Sequence, residues 1–209
     1  MEPAFWRARW AEHKIGFHEG RPNSFLQQHV ARLDGRQRIL VPLCGKAEDL
    51  AFLAANGHEV VGVELVEQAI VEFFAEHAIT PEVTRNEGWA VYRFQNLTLI
   101  AADWFAMTRE VVGPIDGVYD RAAMIAMPGE LRTRYVAQLK ALVPEGTWGL
   151  LVAIDYPADQ FEGPPFPLGD AEVRSTFPTA ELLGEAHPTG GRIADVPTAI
   201  ERCYYAQIG

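Results

Sequence analysis

The chain has 209 residues, 48% of them hydrophobic and 22% charged, which is enough apolar material for one sizeable core. Its 28 carboxylates against 18 Lys and Arg give a formal charge of −10, and no basic run is present, so a grip on a nucleic-acid phosphate backbone is excluded as the expectation. Two cysteines, Cys44 and Cys203, with no C-x-x-C pair, argue against a cysteine-rich zinc site, and no apolar stretch has signal-peptide or bilayer-spanning character. A reducing, cytoplasmic protein without membrane or metal partners is expected.

The pattern begins with a short helix over residues 3–13 carrying Phe5, Trp6 and Trp10, a loop through Ile15-Gly16-Phe17-His18, and a second helix near 22–33. Residues 37–43 form a compact apolar run read as a buried strand, and helical spacing follows at Leu50, Leu53 and Ala54 until Asn56-Gly57. A β-branched strand, Val60-Val61-Gly62-Val63, ends at Glu64, and residues 67–77 are helical. Strands are expected at 90–94, 98–102, 115–119, 147–154 and 199–207, with a helix at 129–142. The Pro- and Gly-rich stretch 157–198 is expected to hold a loop, a short helix near 170–176 and a weaker strand. The repeated strand–helix order calls for a single α/β domain of about seven strands, mostly parallel and covered by helices. Residues 1–35 are read as a helical cap and 36–209 as the core.

In such a sheet, ligands sit at the carboxyl ends of the strands. The first end, Val41-Pro42-Leu43-Cys44-Gly45-Lys46-Ala47-Glu48-Asp49, turns into a helix through a single glycine. The G-x-G-x-x-G loop that a pyrophosphate needs is missing, and Lys46 lacks the flanking residues of a P-loop. S-adenosylmethionine has no phosphate and tolerates a bulkier loop; a plain strand–helix turn is the competing reading. Glu64 lies 19 residues after Gly45, where a carboxylate accepts hydrogen bonds from ribose hydroxyls, or simply meets solvent. Arg121, in Tyr119-Asp120-Arg121-Ala122-Ala123, offers planar paired donors to a carboxylate or anionic acceptor; a local surface pair with Asp120 is the alternative. Asp103-Trp104 follows the third parallel strand, where Asp103 is placed either to receive an adenine amino group or to cap a helix.

Together these strings resemble the thiopurine S-methyltransferase family, its bacterial members in particular. The matching residues are Phe5-Trp6, Arg9-Trp10, Ile15-Gly16-Phe17-His18, Leu40 to Lys46 with Asp49-Leu50, Gly57-His58, Val61 to Glu64, and Tyr119 to Ala123. The likeness runs from about Phe5 to about Pro144 and is fainter beyond. It implies a class I methyltransferase fold (Rossmann-like), a seven-stranded sheet with one antiparallel strand and N-terminal helices over the site. It also implies S-adenosylmethionine contacts from Trp10, Leu43, Gly45, Glu64 and Arg121, with Asp103 and Trp104 near the adenine and Phe17 at the substrate pocket. The partner implied is a small-molecule thiol or related soft nucleophile, and the family default is a monomer.

Methyl transfer from a sulfonium is an in-line displacement that needs alignment and water exclusion more than covalent help. Trp6, Trp10 and Phe17 suit the walls of such a pocket and the neighbourhood of a cation, packing against the core being their other role. Arg121 can favour a thiolate by its charge. His18 is a candidate for assisting deprotonation, or a structural hydrogen bonder. Cys44 has no paired His beside it and reads as a small buried hydrophobe. Arg192 stays outside the expected site. Halide, thiocyanate or selenium and tellurium methylation are alternatives within the fold. An NAD(P)-dependent oxidoreductase and a non-catalytic adenosine-ligand sensor are alternatives outside it.

Overall fold

A computed structural model describes residues 3–209. The chain opens with α1 (Pro3–Ala11) and α2 (Ser24–His29), then runs β1 (Arg38–Pro42), α3 (Glu48–Ala55), β2 (Glu59–Glu64), α4 (Glu67–Glu76), β3 (Glu82–Asn86), β4 (Trp89–Phe94) and β5 (Leu97–Ala101). It continues through α5 (Arg109–Val112), β6 (Gly117–Arg121), α6 (Gly129–Leu142), β7 (Trp148–Asp155), α7 (Asp170–Thr176), β8 (Glu181–Ala186) and β9 (Ile200–Gln207). The helix expected near 22–33 is shorter: α2 is capped by Asn23, whose side chain accepts from the Phe25 N–H at 3.0 Å, and from Val30 the chain tightens into a 3-10 turn.

The strands form one sheet in the order β3-β4-β5-β2-β1-β6-β7-β9-β8. The five central strands β5, β2, β1, β6 and β7 are parallel. The sheet has nine strands rather than about seven: the strand expected at 90–94 is β4, and β3, which was not expected, pairs with it as an antiparallel hairpin on the β5 edge. Without that hairpin seven strands remain, and only β9 runs against the others. β3 escaped the apolar pattern because it is an exposed edge strand, Glu82-Val83-Thr84-Arg85-Asn86, solvated along its length.

Apolar runs make the central strands because both sheet faces are covered. Leu40, Val61 and Val118 turn to one face, where Tyr135 and Leu139 of α6 and Val173 of α7 complete a core. Ile39, Val41 and Tyr119 turn to the other, against Phe25 and Leu26 of α2, Leu50 and Leu53 of α3 and Phe73 of α4. A third, smaller cluster joins Trp10 to Val66 and Ala69, with Trp6, Ile15 and Phe17 packed on it, and so fixes the N-terminal segment over the start of α4. Strand order reverses at β1, which pairs β2 on one side and β6 on the other. The carboxyl ends of β1 and β6 therefore flank the crevice that this topology opens. No described helix is long and apolar enough to cross a membrane.

Candidate active site

A cavity of about 1160 Å³ opens at these strand ends. It is roomy for a drug-sized ligand, whose pockets run to roughly 1,000 Å³, and has space for a second small molecule beside one. Trp6, Trp10, Phe17, His18, Leu43, Gly45, Glu64, Asp103, Trp104 and Arg121 all line it. The fold thus brings together every residue that the sequence singled out, from α1, the following loop and the ends of four strands.

The loop after β1 is held by its neighbours. The Cys44 N–H donates to the Val63 carbonyl at 3.0 Å, and the Gly45 N–H donates to Glu64 Oε2 at 2.9 Å. Glu64 Oε1 accepts from the Val66 N–H at 2.7 Å. Burial pushes the Glu64 carboxyl above its ordinary range, and the backbone N–H groups of Val66, Gly45 and Leu65 work against that rise. Gly45 sits at φ +53°, and a Cβ there would lie 3.2 Å from the Trp10 ring. Gly62, beneath the loop, has no room for one, since Cys44 Sγ and Leu99 Cδ2 would each be 2.7 Å away. Leu43 and Ala122, the residues at two strand ends facing the cavity, hold φ of +46° and +63°. Such strain in non-glycine residues collects at functional sites.

The aromatic cap is a chain of edge-on contacts. Phe17 stands 5.9 Å from Trp6 and 5.8 Å from Trp10, both steeply inclined. Trp10 is buried and doubles as core packing, whereas Trp6 and Phe17 are half-buried. Asp103 takes the helix-capping role, its Oδ1 accepting from the Phe105 N–H at 2.9 Å while the residue stays exposed. Trp104 is buried and stacks on Tyr135 at 5.3 Å. Its indole Nε1 has no hydrogen-bond partner among the described residues.

Arg121 does not pair with Asp120, because successive strand residues face opposite sides. Asp120 points to the other face, where it accepts from Tyr135 Oη at 2.6 Å and from the Met124 N–H at 3.2 Å. Arg121 instead donates to Glu19 of the cap loop and lies 3.6 Å from Asp49 of α3. Asp49 also accepts from the Asn23 N–H at 2.6 Å and from Tyr119 Oη at 3.2 Å. Burial works against the Arg121 charge, but Asp49 and Glu19 outweigh it and hold the guanidinium firmly protonated. Glu201, at the start of β9, lines the same cavity, and burial pushes its carboxyl up to about 7.

His18 faces the cavity with its pKa lowered, first by burial and then by Lys46, so the imidazole is neutral at pH 7. Lys46 turns to α4, donating to Glu72 at 2.9 Å and Glu76 at 2.6 Å, and pins the loop. Cys44 is buried, and burial together with Glu64 raises its thiol well above the ordinary value, which suits packing and not nucleophilic attack. Arg192, left outside the site by the sequence, also lines the cavity, its guanidinium 5.3 Å from the centre of the Phe161 ring.

The family model for thiopurine S-methyltransferase matches residues 1–187. The chain belongs to the thiopurine S-methyltransferase family. It is 48% identical over 179 residues to the thiopurine S-methyltransferase of Pseudomonas aeruginosa strain LESB58, covering 85% of this chain and 82% of that protein. It is 45% identical over 179 residues to that of Pseudomonas entomophila strain L48, covering 85% and 83%. Among solved structures it superposes on a SAM-dependent methyltransferase from Anabaena variabilis with a TM-score of 0.67 at 13% identity, covering 98% of this chain and 95% of that one. Magnesium protoporphyrin IX methyltransferase from Synechocystis gives 0.64 at 15% identity, with 99% of each chain covered. These last two establish the class I methyltransferase fold and nothing finer. Family membership leaves the oxidoreductase alternative without support.

Sequence reasoning missed Glu19, Asp49 and Glu201. Asp49 stood in the quoted motif with no role given to its side chain. Glu19 and Glu201 carry no local signal, since each gains meaning only from Arg121.

Proposed function

We propose that the chain transfers a methyl group from S-adenosylmethionine to the sulfur of a small, largely apolar organic thiol of the thiopurine type. The observation that carries this reading is a single cavity, in a chain of this family, that joins Glu64 and the single-glycine loop to Arg121 beneath an aromatic cap. The residues fit the cofactor. A carboxylate has about four lone-pair sites; on Glu64 the Gly45 N–H serves Oε2, the Val66 N–H serves Oε1 and the Leu65 N–H adds to them, and the acceptor capacity left is available to ribose hydroxyls. The orphaned Trp104 indole N–H is a buried donor in the cavity wall that a purine nitrogen would satisfy. Leu43, Gly45 and Trp10 would flank the aliphatic part, and Asp103 keeps one carboxylate oxygen free for an adenine amino group.

When bound, the cofactor supplies an electrophilic methyl on a cationic sulfur. The chain's own residues do the rest. Trp6, Trp10 and Phe17 exclude water and present aromatic faces and edges to the reacting centre. Arg121, held in place by Asp49 and Glu19, orients a carboxylate or a developing thiolate. Arg192 and Phe161 close the acceptor side. The same reading takes residues 1–35 as the cap on a 36–209 core and the chain as a cytoplasmic monomer; its two cysteines, both buried and free, are compatible with a reducing compartment.

Titration calorimetry with S-adenosylmethionine, followed by methyl-transfer rates on 6-mercaptopurine, an aryl thiol, iodide, thiocyanate and selenite, tests the proposal. Micromolar-scale binding and the highest kcat/KM on the organic thiols are expected. Absence of binding at millimolar cofactor sinks the reading, and preference for iodide or selenite moves the substrate class.

A further inference from the structure

We infer that Glu201 is the general base that takes the proton from the incoming thiol, an inference that rests on the methyltransferase reading above. A neutral thiol is a poor nucleophile, with only a few per cent thiolate at pH 7. The site therefore needs somewhere for the S–H proton to go.

Topology puts Glu201 within reach. β9 is antiparallel to β7, so its first residues return to the rim where the parallel strands end, Glu201 opposite Ile154. Arg121 pairs with Val152 and Val152 with Cys203, so Arg121, Val152 and Cys203 share one sheet face, and Glu201, two residues before Cys203, shares it too. Glu201 and Arg121 thus face the same cavity from strands two apart, a lateral separation of about 10 Å between backbones.

Charge makes Glu201 the carboxylate with a mobile proton. Three carboxylates, Glu19 from the cap loop, Asp49 from α3 and Glu201 from β9, surround the single guanidinium of Arg121. Asp49 is occupied by Asn23, Tyr119 and Arg121, and Glu19 is bound directly to Arg121. Glu201 makes no ion pair within 4.0 Å among the described residues and has only the Asn23 side chain for a hydrogen bond. Its β9 neighbour Arg202 points to the opposite face, to Asp155 and Glu185. The other charged or titratable groups near it are His18, whose imidazole is neutral, Arg192, which lies over Phe161, and Tyr119 and Cys203, whose burial raises both and keeps their protons on. Crowded carboxylates in a dry site retain a proton on the least compensated member. Burial and the Glu19 charge hold Glu201 up at about 7 against the pull of Arg121. A base of that strength matches the operating pH.

In the step, the thiol proton passes to a Glu201 carboxylate oxygen while the acceptor sulfur forms its bond to the methyl carbon. The electron pair of the broken carbon–sulfonium bond stays on the donor sulfur, now a neutral thioether. Glu201 then returns the proton to solvent through the open cavity.

Two thiols of different acidity separate this role from a structural one: a benzylic thiol, mostly neutral at pH 7, and a nitro-substituted aryl thiol, already ionised. E201Q is expected to lower kcat/KM for the benzylic thiol by about 100-fold or more and for the ionised thiol by less than about 3-fold. The acid limb near pH 7 seen with the benzylic thiol should vanish in E201Q and persist, at reduced rate, in E201D. Two further readouts need no turnover. Carbon-13 NMR of labelled glutamate carboxyls should show one group titrating near 7 in the wild-type protein and missing in E201Q, and calorimetry should show the same cofactor Kd for both. Equal losses on the two thiols, a surviving acid limb in E201Q, or no glutamate titrating near 7 in the wild type overturns the assignment. A wild-type protein that binds no S-adenosylmethionine instead overturns the methyltransferase reading beneath it.

Discussion

Replacing Glu64 by Gln asks whether this buried carboxylate braces a loop or holds a ligand. In the structure it accepts from Gly45 at 2.9 Å and Val66 at 2.7 Å. Hydrogen bonds to a charged group contribute about 1.5–3 kcal/mol each. Glutamine keeps one of them and turns an NH2 toward the other donor. The loss is offset, however, because burial makes the charged form costly here, which is why the Glu64 pKa is raised despite three backbone donors. A group whose folded pKa is raised lowers stability as pH climbs through it, so a neutral isostere removes that cost at pH 8. The two effects nearly cancel, and the change in folding stability should be within about 1 kcal/mol, or about 2–4 °C in Tm for a chain of this size. Cofactor binding has no such offset. A Gln amide can accept from only one ribose hydroxyl, and losing one charge-assisted bond of about 1.5–3 kcal/mol weakens Kd by roughly 10- to 150-fold. Thermal scanning and titration calorimetry on the same preparation measure both numbers. A Tm drop above about 6 °C with unchanged Kd would falsify the ribose assignment and make Glu64 a brace alone.

Gly45→Ala forces a Cβ into a residue at φ +53° and brings it 3.2 Å from Trp10; a penalty of about 1–2 kcal/mol is expected, seen as a Tm fall of roughly 3–6 °C, and an unchanged Tm shows that the loop accommodates a side chain. Arg121→Ala strips the guanidinium from Asp49 and Glu19; kcat/KM should fall by about 100-fold or more with the protein still folded, while unaltered kinetics reduce Arg121 to a structural ion pair. Glu201 also predicts a pH signature in stability. Its carboxyl rises from 4.5 to about 7 on folding, so the folded state holds the proton more tightly, and stability present below pH 4.5 is lost as pH rises through 7. At roughly 1.4 kcal/mol per pH unit this approaches about 3 kcal/mol. Urea titrations at pH 5 and pH 8 should therefore show E201Q gaining on the wild type as pH rises, and a constant difference contradicts the buried, proton-holding carboxylate.

Much of the fold was legible because its signals are short-range. The apolar run 37–43, the β-branched run closing at Glu64 and the helical spacing between them define a β-α-β unit from residue order alone, and strand–helix alternation carries the rest of the parallel core. The loop at Gly45, Glu64, Asp103 and Arg121 could be named in advance because parallel strands all end on one rim, whatever their lateral order. The hairpin strand β3 was lost since a solvated edge needs no apolar alternation, although the turn at Glu87-Gly88, with Gly88 at φ +84°, marks a two-residue connection that hydrophobic periodicity ignores.

Sequence by itself determined the α/β frame and the strand ends that line the cavity, because those depend on local period and spacing, while the matching strings carried the resemblance to the family. Only the tertiary structure decided how the charges are shared. Alternation along β6 sends Asp120 to Tyr135 on one face and Arg121 to the cavity on the other. The antiparallel return of β9 brings Glu201 from the far end of the chain to the wall that Glu19 closes from the near end. A carboxylate's protonation depends on burial and on which charges stand beside it. Those neighbours come from α3, β6, β9 and the cap loop, and no stretch of sequence contains them together.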